Sequence, residues 1–308
     1  MRFGLVADDL TGACDSAVPF LAAGRVVVSL WPCLDPADAA CVALTTESRS
    51  EPPAVAYERS RSAVRMLKET GAQLVYRKVD SQLRGNVVDD LRGALDEWDG
   101  PCLLAPALPA EGRITSGGRQ RWPGGEVDLL RLLDDAGLDR VSVRDASDSR
   151  DLFAIAAEVA AGAGRVMPAG TAGLAAELPR AFGYDARPPV PRPGCKLAAA
   201  VVGTPAAAGQ ASFAARRGKT VISLGRGDVP ASLEGYDGLL LTGGETAARV
   251  LRSLRVTALE LMGEAYPRVP VGRCLGGPHE GLVVALKAGA FGGEDAIETA
   301  LEALGRDA

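Results

Sequence analysis

The chain has 308 residues, 47% hydrophobic and 24% charged, with a formal net charge of −5. That length exceeds one ordinary core and suits two domains of roughly 100–200 residues each. The composition is that of a globular chain, no run approaches the roughly 18–20 apolar residues of a membrane span, and the acidic balance argues against a nucleic-acid partner.

The first residues run from Met1 through Ala7 straight into Asp8 and Asp9. They lack the apolar stretch of a secretory signal, so a cytoplasmic location is expected. Short β-rich runs then alternate with helical patterns. Phe3–Ala7, 25–30, Cys41–Thr45, Leu74–Lys78 and Cys102–Ala105 read as strands, and 13–23, 54–70 and 86–98 read as helices. Further on, 151–161 and 172–182 read as helices around a strand at 165–169. Residues 186–194 hold four prolines in nine positions and can neither continue a helix nor pair in a central strand. The alternation resumes with strands at 197–202, 221–224, 238–241, 257–262 and 281–287, and helices at 206–217, 245–254 and 294–304. The expectation is two α/β domains with mostly parallel sheets, at 1–185 and 195–308, joined by a proline-rich hinge at 186–194.

The residue inventory narrows the chemistry. His279 is the single histidine, so a zinc site built on several histidines is excluded. The six cysteines are scattered, and Cys14, Cys41, Cys102 and Cys274 lie in or beside apolar runs as small core residues would. Carboxylates, Lys, Arg, hydroxyls and backbone amides remain.

In open α/β sheets ligands bind beyond the carboxyl ends of the strands, and those loops are the ones with polar clusters here. The first carries Asp8 and Asp9, with Asp15 farther into the next helix. Such carboxylates suit a general base, a magnesium ligand or acceptors for sugar hydroxyls; the alternative is that Asp9 or Thr11 caps the helix. The second, at 77–86, gathers Lys78, Asp80, Arg84, Gly85 and Asn86. It reads as a cradle for carboxylate or phosphate, with a solvated charged loop as the alternative. Arg49, after the strand at 41–45, can join the same pocket. In the second half, Thr242-Gly243-Gly244-Glu245-Thr246 runs from a strand into a helix, and Lys287-Ala288-Gly289 ends another strand. Exposed amides at such turns hold phosphate. Neither a Walker A loop nor a dinucleotide-binding glycine fingerprint occurs, which disfavours a dehydrogenase.

Taken together these motifs resemble the four-carbon acid sugar kinase family, whose members phosphorylate erythronate- and threonate-like acids with ATP. The resemblance rests on Ala7-Asp8-Asp9-Leu10-Thr11-Gly12-Ala13 with Asp15, on Thr46-x-Ser48-Arg49 and on Lys78-x-Asp80-Ser81-x-Leu83-Arg84-Gly85-Asn86. It continues through the Pro-Ala…Gly-Arg-x-Thr stretch at 106–115, Gly170-Thr171-Ala172-Gly173-Leu174, Thr242–Ala247 and Lys287–Gly292. It implies a kinase for a small sugar acid such as threonate, erythronate or an oxo-tetronate, with ATP and Mg²⁺, and leaves room for a homodimer. Asp8 and Asp9 would be catalytic, and Asp15, Arg49, Lys78, Asp80, Arg84, Gly85 and Asn86 would bind the acid. Thr204, Gly243, Gly244, Glu245, Thr246, Lys287 and Gly289 would bind the nucleotide. Family members are usually longer, and the stretch after Gly118 is short here. The loop after the strand at 197–202 keeps only Thr204 of several expected hydroxyls. That thinning suits the rival reading, a sugar-acid sensor of the same fold with little or no kinase activity.

Overall fold

The computed structural model describes residues 1–36, 38–162, 164–186, 189–289 and 291–305. The chain opens with β1 (Phe3–Ala7), α1 (Leu10–Ala17), β2 (Val26–Leu30), β3 (Cys41–Thr45), α2 (Pro53–Glu69), β4 (Leu74–Lys78), α3 (Val87–Glu97) and β5 (Cys102–Ala105). Next come β6 (Ile114–Ser116), β7 (Arg119–Trp122), β8 (Gly125–Asp128), α4 (Leu129–Asp135), β9 (Val141–Val143), α5 (Ser149–Ala161), β10 (Met167–Gly170) and α6 (Ala172–Ala181). The remainder is β11 (Ala198–Val202), α7 (Ala208–Arg216), β12 (Val221–Ser223), β13 (Gly238–Thr242), α8 (Gly244–Ser253), β14 (Ala258–Tyr266), β15 (Val269–Leu275), β16 (Val283–Lys287) and α9 (Ala296–Leu304).

Two compact units form, one from Met1–Val26 with Pro36–Arg187, the other from Val27–Asp35 with Pro188–Ala308. In the first, six parallel strands run in the order β3, β1, β4, β10, β5, β9. Strands β1, β3, β4 and β5 are buried along their whole length, as continuous Val, Leu and Ala runs covered by helices should be. The helix expected at 13–23 starts earlier, at Leu10, because the Asp9 carboxylate caps it by accepting from the Gly12 amide at 3.1 Å. It ends at Ala17, where Pro19 introduces a 3₁₀ turn over Val18–Ala23. Cys14, Cys41, Cys102 and Cys274 are buried in the cores, as their apolar surroundings suggested.

A second, antiparallel sheet of β6, β7 and β8 stands after β5, where no strand was expected. Its inward positions are polar, Thr115 and Gln120, so apolar alternation is absent.

The second unit joins parallel strands β12, β11, β13 and β16 to antiparallel β15, β14 and β2. Strand β2 comes from the N-terminal third of the chain, pairing Ser29 with Ala258 and Val27 with Glu260. Its apolar run identifies a strand but not which sheet edge it joins, so the segment 27–35 lies outside the domain that sequence assigned to it. The expected linker at 186–194 includes Arg187 and Pro188, which lie outside the described residues. Its later part is packed rather than free: the Pro189 carbonyl and the Pro191 ring crowd the α-carbon of Gly263 in β14.

Beneath the carboxyl end of β4 lies a buried ion pair. Arg77 is fully buried, and its Nη2 stands 2.6 Å from Asp90 Oδ2 of α3. Asp90 Oδ1 and Arg77 Nε and Nη1 are also buried, with no hydrogen-bond partner among the described residues. Burial pushes the Asp90 carboxyl up to about 6, against the pull of Arg77. The native state therefore retains a proton that the unfolded chain releases from about pH 4 upward, and stability falls as pH rises through that window toward 6. Two pH units correspond to about 3 kcal/mol. Asp90→Asn, which mimics the neutral carboxyl, should gain stability relative to wild type by up to this amount between pH 4 and pH 7, read by urea unfolding. A relative loss over the same range would show that the pairing with Arg77 outweighs burial.

Candidate active site

The carboxyl ends of β1, β3 and β4 are neighbours in the first sheet, since Ala7 aligns with Thr45 and Val6 with Arg77. Three separate loops are thereby brought to one place. Arg49, in the loop after β3, holds Asp8 in a two-pronged grip, with Nε to Oδ2 at 2.7 Å and Nη2 to Oδ1 at 2.8 Å. The same Nη2 donates to Asp9 Oδ1 at 2.8 Å and stands 3.7 Å from Asp80 Oδ2. Asp80 is gripped in turn by Arg84, through Nε at 3.0 Å and Nη2 at 2.7 Å. Asp80 Oδ1 also accepts the amides of Gln82 and Arg84, which closes the loop on itself.

Local backbone geometry permits this crowding. A Cβ on Gly12 would lie 2.4 Å from Asp9 Oδ1 and 3.2 Å from Lys78 Nζ. Gly85 has φ +81°, and a Cβ there would press on Arg49 Cγ at 3.0 Å. Lys78 is buried and donates to its neighbour's carbonyl, Val79 O, at 2.8 Å.

Carboxylates and cations therefore balance: Asp8, Asp9 and Asp80 against Arg49, Lys78 and Arg84. Burial by itself would raise Asp8, but the Arg49 guanidinium outweighs it and holds the carboxyl below its ordinary value. Asp80 is likewise penalised by burial, yet Arg84 and Arg49 hold it well below the usual carboxylate range. Burial pulls Lys78 down from the ordinary lysine value, against the attraction of Asp9 and Asp8. Arg84 is the accessible cation, with 61% of its side chain exposed.

The other expected ligands lie differently. Asn86 occupies the cap position of α3 but makes no side-chain cap; its Nδ2 donates to the carbonyls of Ser48 (3.0 Å) and Glu51 (2.9 Å). It ties the Arg49 loop to the Arg84 loop. Asp15 is half-buried on α1.

The second unit gathers its expected residues at adjacent strand ends, where Val202 aligns with Thr242 and Thr242 with Lys287. Gly243 turns with φ +85° directly into α8, whose first amides, like those of any helix, have no partner within the helix. Thr204 lies against the backbones of Gly243 and Gly289, while Thr246 packs so closely on Gly203 that a Cβ there would sit 2.4 Å from its hydroxyl. Glu245, in the first turn of α8, is exposed, and Gly244 begins the helix. The Lys287 ammonium is buried and donates to Ala288 O (3.2 Å) and Gly289 O (2.7 Å), bracing the glycine turn from within. Burial lowers it to about 8. Ala290, in the same motif, lies outside the described residues.

Sequence reasoning missed Gly203, Gln120 and the Arg77–Asp90 pair. Gly203 alone carried a signal, as a glycine immediately after a strand.

Residues 3–127 match the sugar-binding N-terminal domain family, and residues 198–297 match the nucleotide-binding C-terminal domain family. A D-threonate kinase of Cupriavidus necator is 30% identical over 409 aligned positions, covering 99% of this chain and 98% of that one. That span exceeds the 308 residues here, so the relative carries insertions that this chain lacks. A Bordetella bronchiseptica protein, solved with bound citrate as a domain-swapped dimer, is 26% identical, with a TM-score of 0.53 over 100% of this chain and 99% of that one. A Salmonella typhimurium LT2 protein shares the fold at a TM-score of 0.74 and 22% identity, over 97% of this chain and 98% of that one. The two domain matches, in this order and with end-to-end similarity to a curated kinase, establish that the chain belongs to the four-carbon acid sugar kinase family of phosphotransferases.

Proposed function

We propose that the protein transfers the γ-phosphoryl group of ATP to a hydroxyl of a four-carbon sugar acid of the threonate, erythronate or oxo-tetronate type. The observation that carries this reading is the balanced cluster of Asp8, Asp9, Arg49, Lys78, Asp80 and Arg84 on the unit that matches a sugar-binding family. It supplies both partners a sugar acid needs: exposed guanidinium donors for the carboxylate and carboxylate acceptors for the hydroxyls. The citrate found in the Bordetella relative is itself a small hydroxy acid, which agrees with this chemistry.

In this reading Arg84 takes the acid's carboxylate with the donors that Asp80 leaves free. Arg49 fixes the two aspartates. Asp9, whose side chain is more exposed than that of Asp8 (12% against 3%), takes the proton of the attacking hydroxyl. The hydroxyl oxygen then bonds to the γ-phosphorus, the bond from that phosphorus to the β–γ bridging oxygen breaks, and ADP leaves. The amides of Gly243–Thr246 hold the phosphates at the start of α8, with the turn at Gly289 alongside. No cluster of three or more metal-binding side chains occurs among the described residues. Magnesium fits this site as an ion carried on the nucleotide phosphates, with Glu245 the carboxylate at the phosphate turn, where it would neutralise developing charge.

Coupled measurement of ADP release with D-threonate, D-erythronate and 3-oxo-tetronate tests the activity. Absence of nucleotide binding by calorimetry at millimolar ATP and Mg²⁺, in folded protein, would instead establish the sensor. Asp9→Asn should cut kcat by about 10²–10⁴-fold, the usual worth of a general base, with little change in the KM for ATP. If Asp8→Asn shows that loss and Asp9→Asn does not, their roles are exchanged; near-normal turnover in both removes the aspartates from the chemistry. Arg84→Met should raise the KM for the acid about 10–100-fold while leaving the KM for ATP unchanged, since a charge-assisted hydrogen bond is worth roughly 1.5–3 kcal/mol. A rise confined to ATP would reverse the assignment of the two units. Thr204→Ala should raise the KM for ATP up to about 10-fold and leave the acid alone, the effect of one lost hydroxyl contact. An unchanged KM for ATP would take Thr204 out of the nucleotide site.

A further inference from the structure

Gln120 is a fully buried amide in the small β6–β8 sheet, and its two donors reach two strand-end loops, one of them the loop of Asp80 and Arg84. Its Nε2 donates to Ser81 O at 3.0 Å and to Pro106 O at 2.9 Å, while its Oε1 accepts from Thr115 Oγ1 at 2.7 Å. Thr115 lies directly opposite it on β6 and is itself fixed by paired backbone bonds to Ala146, at 2.9 and 3.0 Å. One side chain thus ties the residue after Asp80 to the residue after β5, from an anchor outside both loops. Arg113 adds a hydrogen bond to the Ser81 hydroxyl from the same side.

The tethered loop needs such an anchor. Leu83 has φ +57° and Gly85 φ +81°, so a non-glycine residue is held in left-handed backbone beside a second left-handed position. The Gln82 and Arg84 amides and the Arg84 guanidinium converge on the Asp80 carboxylate, which is also in reach of Arg49, and the Leu83 amide donates to the Asp80 carbonyl at 2.9 Å. Asn86 holds the far end of the loop to Ser48 and Glu51, while the near end, at Ser81, is held by Gln120 and Arg113; without that hold the bonds to Asp80 loosen and Arg84 shifts with them.

We infer that Gln120 is a positioning residue that sets where the Asp80–Arg84 loop stands relative to the loop after β5, and so the fit of the acid. The inference rests on the acid-binding role proposed above for Arg84. Gln120 touches no reacting atom and acts through Ser81 and Asp80. A purely structural amide would cost stability when removed but would leave substrate affinity alone.

Two measurements separate these roles. Hydrogen exchange in the free protein should be faster at the Gln82 and Arg84 amides in Gln120→Ala than in wild type. In steady-state kinetics the KM for D-threonate should rise about 10-fold or more, the worth of two hydrogen bonds, with the KM for ATP unchanged. Gln120→Glu keeps the length and the acceptor for Thr115 but presents oxygen to two carbonyls, so it should behave like Gln120→Ala. Thr115→Val keeps both donors and should change the acid KM no more than about 3-fold. If Gln120→Ala does not fold, Gln120→Met, of similar length, carries the same comparison. Unchanged exchange at Gln82 and Arg84 overturns the inference whatever the activity, and so does faster exchange with an unaltered acid KM. If wild type phosphorylates none of the three acids, the kinase reading fails by itself; the exchange comparison, with D-threonate affinity by calorimetry in place of KM, still decides for or against Gln120.

Discussion

The guanidinium of Arg49 is the interaction on which the first unit's site depends. It bonds two aspartates that are adjacent in sequence and approaches a third from another loop. Three carboxylates buried within a few ångströms of one another repel, and each loses hydration. With Arg49 between them, each has a cation within reach while the cluster stays largely shielded from water. Asn86 holds the Arg49 loop by its backbone, and Gly85 leaves room for the arginine stem to lie flat. The cluster is thus a single unit, and replacing one charge leaves the others under-compensated.

This dependence explains which parts of the site were legible in sequence. Asp8, Asp9, Arg49, Lys78, Asp80 and Arg84 all follow apolar strands, and strand-end loops of a parallel sheet meet at one edge whatever their separation in sequence. Their proximity could be read; their pairing could not. Nothing in the spacing says that Arg49 chooses Asp8 and Asp9, or that Asn86 bonds two carbonyls instead of presenting its amide to a ligand. Lys287 illustrates the same limit. A lysine at a strand end beside glycines suggests a phosphate contact, whereas its ammonium is buried against the carbonyls of the turn it follows.

The fold divides along similar lines. Strands of continuous Val, Leu and Ala were visible because burial on both faces demands them. Strand β15 was missed because Pro270 and Gly272 interrupt its pattern, and the pairing tolerates them beside register shifts in β14. The β6–β8 sheet was missed for the opposite reason: its buried positions are hydrogen-bonded polar groups, so hydrophobic periodicity carries no information there. That is also the element that holds the loop of Asp80 and Arg84. A buried amide aligns two loops by direction, which an apolar contact of equal area cannot do, because hydrogen bonds are directional and hydrophobic contacts are not.

In the function proposed above, the two units would address anionic ligands by different physical means, and this bears on how much change each tolerates. The first relies on charged side chains whose positions are mutually determined, so identity matters at nearly every position. The second would rely on backbone amides at the start of α8 and on glycines that let the chain turn, with the Lys287 and Thr246 side chains packed inward. A backbone site loses little when a neighbouring hydroxyl disappears, because the amides and the helix dipole remain. Reduction of the loop after β11 to Thr204 is therefore compatible with retained nucleotide affinity, whereas a comparable loss around Arg49 would dismantle the acid site. Divergence among relatives in substrate should accordingly be sought in the first unit, at the loops that Arg49, Asn86 and Gln120 hold in register.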